Sequence, residues 1–358
     1  MEFYLIFVFI SVLFFHIAVK TENRLLLAFS MLLPILLEGL RSKYVGTDMS
    51  VYGDVFFRDS RFYKGIFDVF KKAPTQEYLY YLLNYICIKI TPNINFFLTI
   101  CATIKILLVY STAYLQRKEI HPTFFVIAYL LFFYFTGFSM MRQSLAIAAS
   151  IFSLNYFFSE KKLSFFGCVI CAYFFHNSAI LMFLFFLLYY VKNYRFRLHI
   201  NIALAVFLFV SIRVIMMFFL GGFLFSEGKV EHYIDSGVNT AKTNILISVS
   251  FLLYAFYLKL KDLDVDDFLL YVFIACGFYS LSFLFIAGYI EVAFRLSYYP
   301  FIATLLIFSY LLKKTHDADN NNVLFYLGFV GLFLLHFIIL CGHGLTGAIP
   351  YASKILGV

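Results

Sequence analysis

Long apolar runs separated by short charged links repeat along this chain from one end to the other. They fall at roughly 3–19, 25–40, 94–115, 122–138, 143–158, 163–176, 178–191, 199–220, 243–258, 267–288, 296–312 and 323–341. A perpendicular helical span takes about 20 apolar residues, and some of these runs are shorter. The pattern predicts an all-α, polytopic integral membrane protein with about twelve transmembrane helices, organised as a single membrane domain over 1–358. The first run carries Glu2 in place of a basic leader and no small-residue cleavage site, so it is expected to stay attached as a span.

Lys and Arg in the links set the expected orientation. Lys20/Arg24, Arg117/Lys118, Lys161/Lys162, Lys192/Arg195/Arg197, Lys259/Lys261 and Lys313/Lys314 occupy every second connection. With those six on the cytoplasmic side, both termini and two longer segments, 41–92 and 221–242, fall on the periplasmic or extracellular side. The 41–92 segment is itself basic, with Arg41, Lys43, Arg58, Arg61, Lys64, Lys71, Lys72 and Lys89. Long loops determine topology weakly, and a basic outer loop over a membrane suggests an anionic ligand. Within it, Phe62 to Lys72 alternates apolar with charged positions and reads as an amphipathic helix lying in the interface. Residues 78–90 read as a second shallow or re-entrant helix; if they cross instead, the topology beyond them inverts.

Composition adds one exclusion and removes several distractions. Of 358 residues 63% are hydrophobic and 13% charged, which leaves no surface to wet and excludes a soluble core. A net charge of +8 does not indicate nucleic-acid binding, because the basic residues are divided across two sides of a membrane. Six cysteines lie mostly in apolar runs, and Cys168-x-x-Cys171 lacks the His or carboxylate neighbours of a metal site. Asp317-Ala-Asp319 and the acidic run Asp262, Asp264, Asp266 and Asp267 read as solvated connectors.

Polar residues at the expected outer helix ends are the candidates for chemistry. Arg41 and Lys43 lead into Val45-Gly46-Thr47-Asp48, with Tyr52 four residues on. Arg142-Gln143 opens a run whose next turns carry Ala146, Ala148, Ala149, Ser150 and Ser153, small enough for close packing. His176-Asn177-Ser178 interrupts two apolar runs, and Glu291-Val-Ala-Phe-Arg295 precedes Ser297-Tyr298-Tyr299-Pro300. Ionisable groups near hydrocarbon cost roughly 2.5–3.5 kcal/mol on insertion scales, so several on one side of the membrane suggest a site. Arg213 lies inside its run, and Lys105 lies about eleven residues, or ~16 Å, from either end of its own, where it needs a partner or a watery cavity.

In order and spacing, Leu40-Arg41 with Val45-Gly46-Thr47-Asp48 and Tyr52, Met141-Arg142-Gln143 with Leu145-Ala146, Phe174-Phe175-His176-Asn177-Ser178-Ala179, Arg295 with Tyr298-Tyr299, and Ile349-Pro350-Tyr351 resemble the EpsG-like, Wzy-type polymerases of bacterial surface polysaccharides. The resemblance covers most of the chain; Met140-Met141 departs from it where an Asn is expected nearby. It implies a multi-pass glycosyltransferase of the bacterial inner membrane with its site facing the periplasm. Its partners would be membrane lipid, polyprenyl-pyrophosphate-linked oligosaccharides and, by analogy, a chain-length regulator. The product would be O-antigen, capsule or exopolysaccharide. The residues suit that chemistry without a metal or cofactor: Arg41, Arg142 and Arg295 offer bidentate donors to a pyrophosphate, with Lys43 a weaker candidate. His176 or Asp48, with Glu291 third, would take the acceptor hydroxyl's proton. Tyr52, Gln143 and Tyr299 would hydrogen-bond sugar or phosphate. A ligase for finished glycan and a flippase of lipid-linked sugar are the alternatives.

Overall fold

The computed structural model describes residues 1–49, 53–220, 240–287, 291–315, 322–342, 344 and 347–357, and the regular elements among them are helices. In chain order they are α1 (Glu2–Thr21), α2 (Arg24–Gly39), α3 (Asp54–Asp59), α4 (Ile66–Lys72), α5 (Tyr78–Ile90), α6 (Ile94–Leu115), α7 (Pro122–Tyr129), α8 (Met141–Phe158), α9 (Lys162–Phe175), α10 (Leu184–Tyr190), α11 (Arg197–Leu220), α12 (Thr240–Leu260), α13 (Asp267–Ala287), α14 (Glu291–Thr315) and α15 (Asn322–Gly342). The segment 221–239, the Asp317/Asp319 pair and Tyr52 lie outside the described residues, as do the side chains of Arg213 and Glu291.

Each expected apolar run is helical, yet among the described residues six helices, not about twelve, are long and apolar enough to cross a membrane: α1, α6, α13, α15 and most of α12 and α14. Several of the other runs are short or interrupted. α2 has 16 residues and α9 has 14. The 122–138 run passes from α7 through a π-helical turn at Leu130–Tyr134 to a 3-10 turn at Thr136–Phe138. The run after His176 begins as a 3-10 turn, Asn177–Phe183, before α10. The interfacial helix expected over 62–72 is confined to α4, because the chain is extended at Tyr63 (φ −73°, ψ 127°) and Gly65 (φ −169°, ψ 177°). The helix expected at 78–90 is α5.

The described residues form two compact units, Met1–Ile180 with Phe333–Val358, and Leu181–Leu332. In the first, α1, α2, α6, α8 and α9 pack successively, with α5 against α6 and α9. Asn23 caps α2 through Leu25 N–H and Leu26 N–H, and Asn93 caps α6 through Asn95 N–H. Pro34 inside α2 cannot donate to the Ser30 carbonyl, and that carbonyl instead accepts from Ser11 Oγ at 2.8 Å. The Pro34 carbonyl accepts from Tyr134 at 2.6 Å. In the second unit Phe308 lies against Phe329 at 4.2 Å between ring centroids, and Asn201 bridges Tyr271 and Tyr279 at 2.7 and 2.6 Å.

The buried Lys105 on α6 has a partner, Glu38 on α2, with side chains 3% and 0% exposed. An ion pair this deep gains little net stability over a well-packed apolar pair, but removing one member leaves a bare charge, which costs about 3–5 kcal/mol. Lys105→Met alone should therefore lower the thermal unfolding midpoint sharply in detergent. Glu38→Leu combined with Lys105→Met should recover most of the loss.

Candidate functional site

The end of α2 delivers Arg41 into the interior, fully buried. Its Nη1 donates to the Val45 carbonyl at 3.0 Å and the Phe138 carbonyl at 2.8 Å, and its guanidinium lies 4.5 Å from the Phe138 ring centre. Nε and Nη2 make no hydrogen bond among the described residues. Asn95 Nδ2 donates to the Gly39 and Arg41 carbonyls, both at 2.8 Å, and so satisfies the open end of α2. Gly46 is at φ +98°, and a Cβ there would stand 2.1 Å from the Phe138 oxygen and 2.8 Å from Arg41 Nη1. Only glycine permits both that backbone and that approach.

The C-terminal segment closes over the same turn. Gly46 N–H donates to the Gly347 carbonyl at 2.9 Å, Ser42 N–H to the Ala352 carbonyl at 2.7 Å, and Ser353 Oγ to the Leu40 carbonyl at 2.6 Å. Tyr351 donates to the Leu37 carbonyl at 3.1 Å. On the other side Thr47 N–H donates to Ser139 Oγ at 3.1 Å. Residues 138 and 139 are thereby fixed from the Arg41 turn, and Arg142 follows three residues later on the first turn of α8.

Arg142 Nη1 lies 2.5 Å from Oε2 of Glu77, in the link before α5, with Arg142 21% and Glu77 3% exposed. The other carboxylate oxygen, Oε1, lies 2.7 Å from Nδ1 of His176, which is 23% exposed. That contact is set off the ring N–H direction, leaving Nδ1 without an aligned hydrogen bond. His176 ends α9 in an extended conformation (φ −157°, ψ 126°), which turns its ring out of the helical path. Thr75 Oγ1 donates to Oε2 at 3.1 Å, and the Phe56 ring lies 5.8 Å from the Arg142 guanidinium. Tyr173 donates to Gln76 Oε1 at 3.0 Å beside this junction.

The other expected site residues are distributed more widely. Lys43 pairs with Asp54 at 3.2 Å, an aspartate that Arg58 also approaches at 3.4 Å. Asp48 is half-buried in the turn after Gly46, and Gln143 is buried on α8. Arg295 and Tyr299 belong to α14 in the second unit, the former half-buried and the latter buried. Two carboxylates escape a reading of the sequence centred on cations. Glu77 sits in the Pro-Thr-Gln-Glu link before α5, and Glu38 closes an apolar run; an acid at either place was the available signal.

A multi-pass helical membrane protein with charges gathered around one enclosed carboxylate is the class that this fold and junction define. The chain belongs to the EpsG family, whose family model matches residues 24–353. That membership supports a polysaccharide-polymerase-type role at the level of the family. No curated protein and no solved structure matches the chain.

Burial pushes the Glu77 carboxyl up, but the His176 contact and the Arg142 charge outweigh it and hold the group below its ordinary range. A depressed folded-state value contributes stability that is present above the unfolded value, about 4.3, and lost as pH falls through the folded one. Thermal unfolding of Glu77→Gln should therefore fall below wild type at pH 7. The difference should close as the pH is taken below about 4.

Proposed function

We propose that the chain is a surface-polysaccharide polymerase of the bacterial inner membrane, a glycosyltransferase acting at the periplasmic face. It transfers a growing glycan from polyprenyl pyrophosphate to the terminal sugar of a lipid-linked repeat unit. The observation that supports this most directly is the meeting of Arg142 and His176 on Glu77, with both partners part-exposed and the carboxylate enclosed. One group suited to an anion and one suited to a proton are thereby held a carboxylate's width apart.

In the proposed step the acceptor hydroxyl gives its proton to His176 as its oxygen bonds to the donor's anomeric carbon. The bond from that carbon to the pyrophosphate oxygen breaks, and the leaving oxygen keeps the electron pair. Arg142 meets the charge that collects on the pyrophosphate, where a planar donor pair is worth more than a point charge. Asp48 is the second candidate for the proton, and Gln143 and Tyr52 are candidate contacts to sugar or phosphate. Lys43, held by Asp54, is a weaker candidate for the same anion. Arg41, enclosed and bound to two carbonyls, is assigned to shaping the turn that fixes residues 138 and 139.

The test is elongation by the purified protein in liposomes supplied with one defined polyprenyl-pyrophosphate repeat unit. Arg142→Ala should reduce the glycan ladder by about 100-fold or more at unchanged protein level, with Arg142→Lys between it and wild type. A ladder of normal rate and length from Arg142→Ala would overturn this assignment. Translocation of the lipid-linked sugar by wild type without any elongation would favour the flippase.

A further inference from the structure

We propose that Glu77 is a positioning residue that fixes the working form of His176: it holds Nδ1 and leaves Nε2 as the nitrogen that takes a proton. The inference rests on the reading of His176 as the proton acceptor and deepens it. Glu77 cannot reach a sugar, because its side chain is only 3% exposed and both oxygens are engaged, Oε1 with His176, and Oε2 with Arg142 and Thr75. The two cation-type partners keep an open side, 23% for His176 and 21% for Arg142. An acceptor-only group against Nδ1 favours the tautomer with its proton on that nitrogen. The lone pair on Nε2 is then free for the incoming hydroxyl proton. As it arrives, the imidazole becomes a cation beside a carboxylate, which is the arrangement that stabilises it.

The shared carboxylate also explains why the ring contact is off line. Arg142 holds Oε2 at 2.5 Å while the ring meets Oε1 at 2.7 Å, so one carboxylate is shared between two partners. A pyrophosphate on Arg142 would offer that cation a second anion and relax the pull, letting Oε1 come into line with Nδ1. Such tightening on substrate binding is common in groups that are loosely aligned without substrate. One residue from the link before α5 thus couples the anion-binding group on α8 to the proton-accepting group at the end of α9.

Two measurements test this, one of them independent of activity. Nitrogen-15 spectra of histidine-labelled protein in detergent, with the His176 signals assigned by loss in His176→Gln, should show neutral His176 protonated on Nδ1 in wild type and in Glu77→Asp. In Glu77→Gln the Nε2-protonated form should become the larger population. Wild type found protonated on Nε2 overturns the proposal whatever the variants do, including any that fail to fold. In the elongation assay Glu77→Gln should lower kcat by about 100-fold in the wild-type background, but by less than about 3-fold in a His176→Ala background. An equal loss in both backgrounds marks Glu77 as a general structural support and overturns the proposal. If wild type shows the Nδ1 tautomer and no elongation, the polymerase reading fails while the positioning of His176 by Glu77 stands.

Discussion

A cation enclosed in an apolar bundle has to be met by oxygen, and in the first unit that requirement determines where the chain goes. Lys105 meets Glu38, Arg41 meets the Val45 and Phe138 carbonyls, and Arg142 meets Glu77. The Lys105–Glu38, Arg41–Phe138 and Arg142–Glu77 pairings join elements distant in sequence, so the charges act as crosslinks between segments whose apolar faces alone would allow sliding. The consequence is largest at 136–142. Arg41 holds the Phe138 carbonyl, Thr47 N–H holds Ser139, and the first turn of α8 then places Arg142 against the carboxylate. Loss of any of these oxygens leaves an uncompensated charge, a penalty larger than the gain from the intact pair.

Gly46 and the C-terminal segment serve the same arrangement. The left-handed glycine brings the turn onto the Phe138 oxygen, and residues 347–353 bind its remaining backbone groups from the other end of the chain. Together they convert a polar stretch after an apolar helix into a rigid support for α8.

Much of this was legible in the sequence, and the exceptions have physical causes. The apolar runs placed the helices closely, with 94–115 matching α6, because hydrocarbon-compatible runs leave little choice of secondary structure. Helix continuity was less legible: hydropathy does not reveal that the 122–138 run changes helical type at Leu130, or that the run after His176 starts as a 3-10 turn. Arg142 and His176 were visible as polar residues interrupting apolar runs. Glu77 was not, since its meaning comes from α5, α8 and α9 converging and not from its neighbours in the chain. Arg41 stood out for the right reason, an arginine after an apolar helix, yet the geometry gives its hydrogen bonds to backbone carbonyls, a use that spacing alone does not separate from ligand binding.

The proposed polymerase would break one sugar–pyrophosphate bond for every repeat unit added. Wild-type protein in liposomes, supplied with a single radiolabelled polyprenyl-pyrophosphate repeat unit, allows released polyprenyl pyrophosphate and glycan length to be counted in the same sample. One pyrophosphate lipid should be released for each bond in the ladder. Movement of the labelled lipid across the bilayer with no pyrophosphate lipid released and no increase in glycan length would contradict it.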